Sequence, residues 1–468
     1  MHDVIVIGAG LGGLLTAAIL GRRGKRVLLL EREEEVGGRL RSTEVDGYVL
    51  DAGAYLWPNL HLDRALAAAG ADFHGSTIPV TRVLRVFVDG GGGAELPFPW
   101  PGLGAEPFAA AAQATLRADA PTFAGLCALW ERLAQLGDDE VAALRHVPLR
   151  DALPRFTADA AVAEAFRRNV MLFGSIDPES ASMAECIALR RRPRGAPPRP
   201  ESPGDNAVGG VRALPLALRD ACLAAGVTIA CGWQVERILL DGGGAVGVEA
   251  RPARRWFGET IGAGAVVCNV PIWRLFSLLP PAAFSPEFVA DARACGVVGG
   301  VIAAAFAFEG LPILRASGQA DDFPGWTRLL IGPDARFGGG MVWTTLHAPH
   351  NAPPGQHVLQ AMRLSSHADL ADAARVAEIH AAFLRMLDQI YADVDVRLRR
   401  QWAWTTRDGS EYLIHSARRP PVRAPGIANL FFVGETTDVP AIQMDAAALS
   451  ALQCADAIAS GAGTKAEG

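Results

Sequence analysis

The sequence predicts an α/β fold in which a discontinuous domain with a parallel sheet is joined to a second, α+β domain. First, residues 3–31 have the pattern of an apolar strand, a glycine-rich turn, a helix and a second apolar strand. Second, strands and a glycine hairpin are predicted at residues 227–269, and an apolar strand at 429–433 precedes an alanine-rich helix. Third, a chain of 468 residues is longer than a single core usually supports, so it is expected to divide into two domains.

The glycines of the N-terminal turn have the spacing of a Rossmann-type dinucleotide-binding site. Gly8 permits the tight turn, Gly10 allows a pyrophosphate to approach the backbone, and Gly13 allows the helix to pack closely on the strand. The N-terminus of that helix offers free N–H groups and a positive dipole end to phosphates. Glu31 ends the second strand, where a carboxylate accepts hydrogen bonds from an adenosine ribose and repels a 2′-phosphate.

The segment after the second strand carries another signature. Residues 37–41, with the sequence Gly-Gly-Arg-Leu-Arg, resemble the double-glycine–arginine motif of flavoproteins in the amine oxidase and phytoene desaturase superfamily. The resemblance implies a Rossmann-type, GR2-like FAD-binding domain in which Arg39 and the backbone of Gly38 contact the pyrophosphate from its far side. It also implies that residues 46–55 pass beside the isoalloxazine ring.

Two further segments are similar to the same superfamily. At residues 434–435 a Gly-Glu turn follows a strand, and the resemblance places that carboxylate near the ribityl chain and pyrophosphate. The helix that begins near Met444 and Asp445 would direct its positive end at the N1–C2=O edge of the flavin, although Asp445 has the alternative role of its N-cap. In mid-chain, the backbone of Val235 corresponds to the family's adenine contact. The predicted cofactor-binding residues are Gly8, Gly10, Leu11, Gly12, Gly13, Glu31, Arg32, Gly38, Arg39, Gly53, Ala54, Tyr55, Val235, Asn269, Gly434, Glu435, Met444 and Asp445.

The separation of these segments implies a discontinuous FAD-binding domain, with the substrate domain inserted between its parts. The predicted FAD-binding domain comprises residues 1–60, 205–275 and 396–468, and the predicted substrate domain comprises 61–204 and 276–395.

The predicted substrate domain has a helical part and a sheet. Helices are expected at about 105–190. Strands at 297–308, 340–346 and 357–364, with a helix at about 369–391, indicate an antiparallel sheet backed by helices. Residues 190–200 are basic and proline-rich, which is typical of a surface connection or, alternatively, of an edge that contacts anionic lipid.

Composition and charge exclude several classes of protein. The formal net charge of −6 gives no reason to expect a nucleic-acid partner. Seven cysteines without a C-x-x-C pair indicate a reducing compartment and free core thiols, and we expect no disulfide framework and no metal site. No apolar run reaches the ~18 to 20 residues of a membrane span, and no basic residues precede the N-terminal apolar run as in a secretory signal. We therefore expect a cytoplasmic protein, either free or in peripheral contact with a membrane.

The expected chemistry follows from the cofactor that the resemblance implies. Only one complete dinucleotide fingerprint is present, because the glycine runs at 90–93 and 338–340 lack the strand–helix context and are predicted to be turns. Without a nicotinamide site, electrons would leave to oxygen, a quinone or another carrier. The resemblance implies an FAD-dependent dehydrogenase or desaturase that transfers a hydride from a largely apolar small-molecule substrate to flavin N5.

Few polar residues are candidates for proton transfer. Asp438 follows the Gly-Glu turn and resembles a position near the reactive face of the flavin, so it is the candidate catalytic residue. Trp402 and Trp404 alternate on a predicted strand and so share a face, where they pack in the core or line the substrate. The chain has only two lysines, Lys25 and Lys465, and neither is placed to reach flavin N5 as a lysine does in many amine oxidases. The histidines considered for proton transfer are His61, His347, His350 and His415.

Three alternatives remain open on the sequence alone. The first is a flavin amine oxidase or dehydrogenase that acts on a C–N bond of a secondary metabolite. The second is a redox-neutral flavin isomerase that needs reduced flavin but no electron acceptor. The third is a non-catalytic lipid carrier of the Rab GDP-dissociation inhibitor type, against which the intact phosphate turn, Arg39 and Glu435 count. The sequence does not determine the oligomeric state.

Overall fold

The architecture is taken from a computed structural model of the chain. It describes residues 2–52, 60–73, 77–79, 83–88, 92–97, 118–174, 181–188, 205–207, 211–253, 255–297, 299–325, 327–330, 338–407, 416–441 and 443–460. The strands are β1 (His2–Ile7), β2 (Val27–Leu30), β3 (Ser42–Val45), β4 (Tyr48–Asp51), β5 (Thr77–Pro79), β6 (Val83–Val88), β7 (Gly92–Pro97), β8 (Asp205–Ala207), β9 (Thr228–Ala230), β10 (Trp233–Asp241), β11 (Gly244–Pro252), β12 (Glu259–Cys268), β13 (Gly299–Glu309), β14 (Thr327–Leu330), β15 (Gly338–Trp343), β16 (Gln356–Ser366), β17 (Leu398–Thr406) and β18 (Leu430–Phe432). The helices are α1 (Leu11–Arg22), α2 (Leu60–Ala69), α3 (Ala120–Ala134), α4 (Asp138–Ala143), α5 (Leu149–Ala152), α6 (Ala160–Gly174), α7 (Met183–Ala188), α8 (Ala213–Ala224), α9 (Pro286–Ala294), α10 (Thr344–His347), α11 (His367–Ala371), α12 (Ala373–Ile390), α13 (Val394–Arg397) and α14 (Gln443–Ser460), with short 3₁₀ turns at Leu153–Arg155, Ile272–Ser277, Pro281–Ala283 and Pro349–Asn351.

The first sheet has a parallel centre, as the sequence predicts. Its strand order is β10-β11-β12-β1-β2-β9, and β18 pairs with the second half of β12. Strands β12, β1, β2, β9 and β18 run parallel, whereas β10 and β11 form an antiparallel hairpin beside the first half of β12. The carboxyl ends of the parallel strands therefore lie at one edge of the sheet, which is where open α/β sheets bind their ligands.

Both faces of the first sheet are covered, and the cover differs from the predicted domain boundaries. Helices α1, α2, α8 and α14 pack on one face, with Leu14, Leu66 and Leu218 in their shared core. On the other face, Phe288 belongs to the core that contains Ile5 and Leu28 of the strands, although the sequence predicts the substrate domain from residue 276. Likewise Leu62 and Leu66 of α2, which follow the predicted boundary at 60/61, belong to the core on the first face. The central strands carry apolar side chains on both faces, so each face of the sheet must be covered by a layer of other residues.

The second sheet has the order β17-β13-β16-β15-β14-β6-β7. Its described pairs are antiparallel except β14 with β6, which run parallel. Helix α12 covers one face through Phe383 and Met386. Strand β17 pairs along β13 in this sheet, although the sequence predicts residues 396–468 as part of the FAD-binding domain. Its alternating half-buried residues suit an edge strand.

Three predicted elements in this region need correction. The glycines at 338–340 are not a turn but begin β15, where a Cβ at Gly339 would overlap the carbonyl oxygen of Met362 on the neighbouring strand. That strand ends at Trp343, before the predicted limit of 346, and α10 follows it. The helix predicted at 369–391 is two helices, because Asp372 has an extended backbone and its carboxylate caps the start of α12 at the N–H groups of Ala374 and Arg375.

Residues 118–188 form a helical segment, as predicted, in the part of that range the structure describes. Helices α3 to α7 share an apolar core that includes Leu126, Trp130, Phe166 and Ile187. The helix predicted at 105–117 and the basic loop at 190–200 lie outside the described residues. Within the described ranges, no helix combines the length and apolar character that a bilayer crossing requires.

Candidate functional site

The phosphate turn lies between β1 and α1. Gly8 has φ +95°, a conformation that favours glycine, and its N–H donates to the carbonyl of Leu30 at 2.8 Å. Helix α1 begins after Gly10, has no side-chain cap and has no acidic residue in its first turn. No capping side chain accepts a hydrogen bond from the first N–H groups of this helix, so these groups are available to an anion.

Close contacts fix the position of this turn. A Cβ at Gly13 would overlap the carbonyl oxygen of Gly8, so helix α1 approaches β1 as closely as the sequence predicts. A Cβ at Gly12 would lie 2.7 Å from Oδ1 of Asn269 and 3.0 Å from the backbone nitrogen of Gly434. Because Asn269 also donates through Nδ2 to the carbonyl of Gly8 at 3.2 Å, this side chain joins the N-terminal turn to the C-terminal glycine turn.

Glu31 is buried at the end of β2, beside the phosphate turn. Its Oε2 accepts a hydrogen bond from the N–H of Ala9 at 2.6 Å, and its Oε1 accepts one from the N–H of Glu33 at 3.0 Å. The carboxylate is thus held in a fixed position at the edge of the sheet. Arg32, by contrast, is exposed and forms a surface ion pair with Glu33 at 3.1 Å.

Val235 lies next to this edge. The N–H of Trp233 donates to the carbonyl of Glu31 at 2.7 Å, which brings the start of β10 against the end of β2. The pairing of β10 with β11 is irregular between Val235 and Arg237, so the backbone here departs from a regular ladder. The position agrees with an adenine-side location, and the adenine contact itself stays a prediction.

The double-glycine segment folds against the phosphate turn. The N–H of Gly37 donates to the carbonyl of Ala9 at 2.8 Å, and a Cβ at Gly38 would lie 3.2 Å from Cα of Gly10. Arg39 follows, and its Nη2 lies 2.5 Å from Oε1 of Glu435. The structure therefore brings together the three sequence segments that were predicted to share one ligand.

The C-terminal turn is held from several sides. Gly434 has φ +110°, and its N–H donates to Oγ of Ser450 on α14 at 2.9 Å. The carbonyl of Glu435 accepts a hydrogen bond from Nη1 of Arg419 at 3.2 Å. Nη2 of Arg419 in turn donates to Oε1 of Glu185 on α7 at 2.9 Å, and both side chains are buried.

Sequence reasoning missed Arg419 and Glu185, as well as Arg145. They lie far apart in the chain and match no local motif. The one available signal was the isolated acidic residue in the apolar helix α7, because a buried carboxylate needs a charged or hydrogen-bonding partner.

Asp445 has a role that the sequence did not predict. Helix α14 begins at Gln443, so Asp445 lies inside its first turn and is not its N-cap. Its Oδ1 instead accepts hydrogen bonds from the N–H groups of His61 and Leu62, at 2.7 and 3.1 Å, at the start of α2. The carboxylate therefore caps the neighbouring helix, while Met444 packs half-buried against the core of the first sheet.

Asp438 forms an ion pair with Arg145 of the helical segment, with Nη2 and Oδ1 2.8 Å apart. Arg145 also donates to the carbonyl of Val439. These contacts tie Asp438 to the helical segment, so the geometry supports a structural role and gives no support for proton acceptance.

Asp51 lies within the segment, residues 46–55, that the resemblance implies to pass beside the ring. Gln360 of β16 pairs with the backbone of Asp51 at two points, its Oε1 accepting from the N–H at 3.0 Å and its Nε2 donating to the carbonyl at 2.9 Å. Burial raises the pKa of the Asp51 carboxyl to about 6, against the hydrogen bonds from Ser42 and Val211 that lower it. Gly53, Ala54 and Tyr55, and also Trp57, lie outside the described residues.

One face of the second sheet continues from this contact. Register places Trp404 beside Ala303 and Trp402 beside Ala305, so the two indoles share a face as predicted. The half of that face nearest Gln360 packs on β4, where Trp402 contacts the ring of Tyr48 at 5.0 Å. The other half is an apolar cluster of Val301, Ala303, Val342, Met362 and Leu364, with Val297 and Trp404 packed against it.

The histidines have separate environments. His347 is buried, its Nε2 lies 2.6 Å from the carbonyl oxygen of Pro324, and burial lowers its pKa. His61 is half-buried, with Nε2 4.0 Å from Asp445, and His350 is exposed. His415 lies outside the described residues. Over the residues that the structure covers, no three or more His, Cys, Asp or Glu side chains are grouped so that they could hold a metal ion.

Comparison with known proteins gives the family. The model of the flavin-containing amine oxidoreductases matches residues 11–459. The chain belongs to this family. This family is that of flavin-containing oxidoreductases, which confirms the superfamily and the cofactor predicted from the sequence.

Individual relatives match only a short part of their own length. The chain is 45% identical over 67 residues to an inactive all-trans-retinol 13,14-reductase of Danio rerio, covering 14% of this chain and 11% of the relative. It is 47% identical over 61 residues to a carotenoid 3,4-desaturase of Haloarcula japonica, covering 13% and 12%. An oxidoreductase from Methanosarcina mazei of known structure shares the fold, with a TM-score of 0.68 and 18% identity over 97% of this chain and 99% of that one.

The residues present fit FAD. The uncapped start of α1 and the glycine contacts around it leave the backbone open to a pyrophosphate. Arg39 supplies a positive charge and Glu31 a buried hydrogen-bond acceptor. Two residues beyond Glu435, the hydroxyl of Thr437 is fully buried and has no hydrogen-bond partner within the described part of the chain. A polar group of a ligand would satisfy it.

Proposed function

We propose that this FAD-dependent oxidoreductase is a dehydrogenase or desaturase that removes hydrogen from a C–C bond of a largely apolar organic substrate. The observation that carries the proposal is the apolar cluster of Val301, Ala303, Val342, Met362 and Leu364 on the second sheet. It lies next to the Gln360–Asp51 contact, and Asp51 belongs to the segment 46–55 that is predicted to pass beside the ring. Methyl and thioether groups on such a wall bind a hydrocarbon by burial of apolar surface and offer no partner to a charged one.

The protein's contribution is to hold and orient. Gly8, Gly12 and Gly13 shape the phosphate turn, and the paired Arg39 and Glu435 would hold the pyrophosphate from its far side. Helix α14 begins at Gln443, after the Gly-Glu turn, and would direct its positive end at the flavin. When bound, FAD supplies the hydride acceptor. The apolar wall would orient the substrate and exclude water.

The electron acceptor is part of the proposal. The glycine run at 338–340 is a strand, so it provides no second dinucleotide turn. This supports reoxidation by oxygen, a quinone or another carrier. A largely apolar substrate or quinone would be drawn from a membrane surface, which supports a protein in peripheral contact with lipid.

A second candidate is oxidation of a C–N bond, which the family itself favours because its model is that of amine oxidoreductases. Lys25 does not supply the lysine of such a site, since it lies before β2, at the end of the strand opposite Glu31. Asp438, the candidate catalytic residue of the sequence analysis, is paired with Arg145.

Anaerobic reduction of the flavin distinguishes the two candidates. The holoenzyme is mixed without oxygen with a panel of polyenes and a panel of cyclic amines, and bleaching of the flavin absorbance is followed. We expect bleaching by members of the polyene panel only, and slower bleaching after Met362→Glu, which places a charge on the apolar wall. Bleaching by amines alone would contradict the proposal.

A further inference from the structure

A buried ion pair joins the helical segment 118–188 to the loop that carries Glu435. Nη2 of Arg419 and Oε1 of Glu185 are 2.9 Å apart, and the two side chains are only 2% and 7% exposed. Glu185 lies on α7 among apolar residues of the helical core, including Met183 and Ile187. Removing one member of such a pair leaves a buried charge without compensation, whereas replacing both with apolar groups is often tolerated.

The guanidinium of Arg419 makes a second contact, so the ion pair affects the position of Glu435 as well as the stability of the protein. Nη1 of Arg419 donates to the carbonyl of Glu435 at 3.2 Å. The side chain of Glu435 meets Nη2 of Arg39 at 2.5 Å. A continuous series of polar contacts therefore runs from Glu185 on α7, through Arg419 and the backbone and side chain of Glu435, to the arginine of the double-glycine segment.

The helical segment touches the loop at another point as well. Arg145 pairs with Asp438 at 2.8 Å and donates to the carbonyl of Val439. The loop between Gly434 and α14 is thus held by the helical segment on one side and by Ser450 of α14 on the other. Neither the motifs of the sequence nor the phosphate turn accounts for these contacts.

We propose that Arg419 is a positioning residue that fixes Glu435 for FAD and couples cofactor binding to docking of the helical segment on the loop at 434–441. The coupling is reciprocal. Bound FAD favours the arrangement of Glu435 in which Arg419 and Glu185 are paired, and so holds the helical segment in place. Loss of Arg419 weakens FAD binding without removing any group that contacts the cofactor. The proposal depends on FAD as the cofactor and not on the substrate.

The first experiment measures FAD affinity of apoprotein by quenching of flavin fluorescence. The main variant is the double replacement Glu185→Met with Arg419→Met, which removes both buried charges together and is expected to fold. We expect its FAD dissociation constant to rise at least about tenfold, the usual scale of a coupling between sites. Arg419→Lys keeps the charge but not the planar fork that reaches both acceptors, so an intermediate value is expected. Wild-type affinity in the double variant would overturn the proposal.

The second experiment uses protection of the helical segment, a readout that does not depend on turnover. Limited proteolysis or hydrogen exchange of residues 118–174 is compared with and without FAD. In the wild type FAD is expected to slow cleavage or exchange several-fold, and in the double variant it is expected to have little effect. Equal protection by FAD in both proteins would contradict the coupling.

A matched control separates coupling from general loosening of the helices. Arg132 lies in the same segment, donates to the carbonyl of Phe156 and covers its ring, and has no contact with the loop at 434–441 among the residues described. Arg132→Met is expected to destabilise the segment but to leave both the FAD dissociation constant and the protective effect of FAD as in the wild type. If it lowers FAD affinity as much as the double variant, the specific role of Arg419 is wrong.

Discussion

Asp51 is a buried carboxyl group at the end of β4, within the segment 46–55 that is predicted to pass beside the flavin ring. Its side chain is 3% exposed and accepts a hydrogen bond from Oγ of Ser42 at 2.6 Å. Burial raises its pKa from 3.8 to about 6, while Ser42, the N–H of Val211 and the charge of Arg212 act in the opposite direction. The residue therefore holds its proton at a higher pH in the folded protein than in the unfolded chain.

The sign of the pH dependence follows from this difference. Between about pH 4 and pH 6 the folded state binds more protons than the unfolded state, so the free energy of unfolding falls as the pH rises. Asp51→Asn removes the titration and keeps an acceptor for Ser42. We expect the stability of the variant relative to the wild type to increase by about 2 kcal/mol between about pH 4.5 and about pH 7.5, measured by denaturant unfolding of the holoenzyme.

The control for this prediction is Asp322→Asn, a change at an exposed aspartate. Its stability relative to the wild type is expected to stay nearly constant over the same pH range. Parallel pH profiles for Asp51→Asn and the wild type would show that the buried carboxyl group does not titrate in this window.

At the scale of elements, one helix of the FAD-binding domain is capped by another. The carboxylate of Asp445 in the first turn of α14 satisfies two N–H groups at the start of α2, those of His61 and Leu62. These N–H groups have no partner within their own helix. The contact therefore positions the start of α14 and the start of α2 together.

Replacement of Asp445 separates capping from ligand binding. Asp445→Ala removes the acceptor and is expected to lower the free energy of unfolding by about 1 kcal/mol, whereas Asp445→Asn retains an acceptor and should cost much less. Denaturant unfolding of both variants measures the difference. Asp372→Ala, which removes the cap of the distant helix α12, serves as a reference for a cap with no cofactor nearby.

A different outcome would reassign the residue. If Asp445→Asn lost FAD affinity while remaining as stable as the wild type, the carboxylate and not the cap would be the functional group. That result would support a direct cofactor contact for the side chain.

At the scale of the whole molecule, the burial of the cysteines shows how well the apolar cores exclude solvent. All seven are free, and only Cys127 and Cys231 are half-buried. Burial raises the pKa of Cys268 to about 11 and that of Cys222 to about 12, so thiolate is scarce at neutral pH. These thiols are parts of the core and not reactive groups.

Thiol titration tests whether the folded protein keeps a reagent away from the buried cysteines. Native holoenzyme is expected to react with a chromogenic disulfide reagent at no more than the two half-buried positions, Cys127 and Cys231, and at all seven after denaturation. A variant with serine at those two positions should not react in its native state. Rapid reaction of further thiols in that variant would mean that a core opens more readily than the structure indicates.

The amino-acid sequence was sufficient to predict the parts of the protein in which a local pattern has a single physical explanation. The strand–glycine–helix unit around Gly8 and Gly13 and the carboxylate at Glu31 follow from spacing, and the double-glycine segment before Arg39 was found by its resemblance to a known family. A tight turn, a close helix contact and an acid at a strand end each constrain only neighbouring residues. The same local logic predicted that Trp402 and Trp404 share a face of one strand.

Only the tertiary structure decided which distant groups meet. Arg419 reaches Glu185 and Glu435 across 234 and 16 residues of chain, and Asp445 caps a helix 384 residues away from it. It also placed β17 in the second sheet and the glycines from 338 in a strand, where a neighbouring backbone leaves no room for a side chain. Such contacts depend on the packing of whole layers, because burial makes a charge or an N–H group require a partner without specifying where in the chain that partner lies.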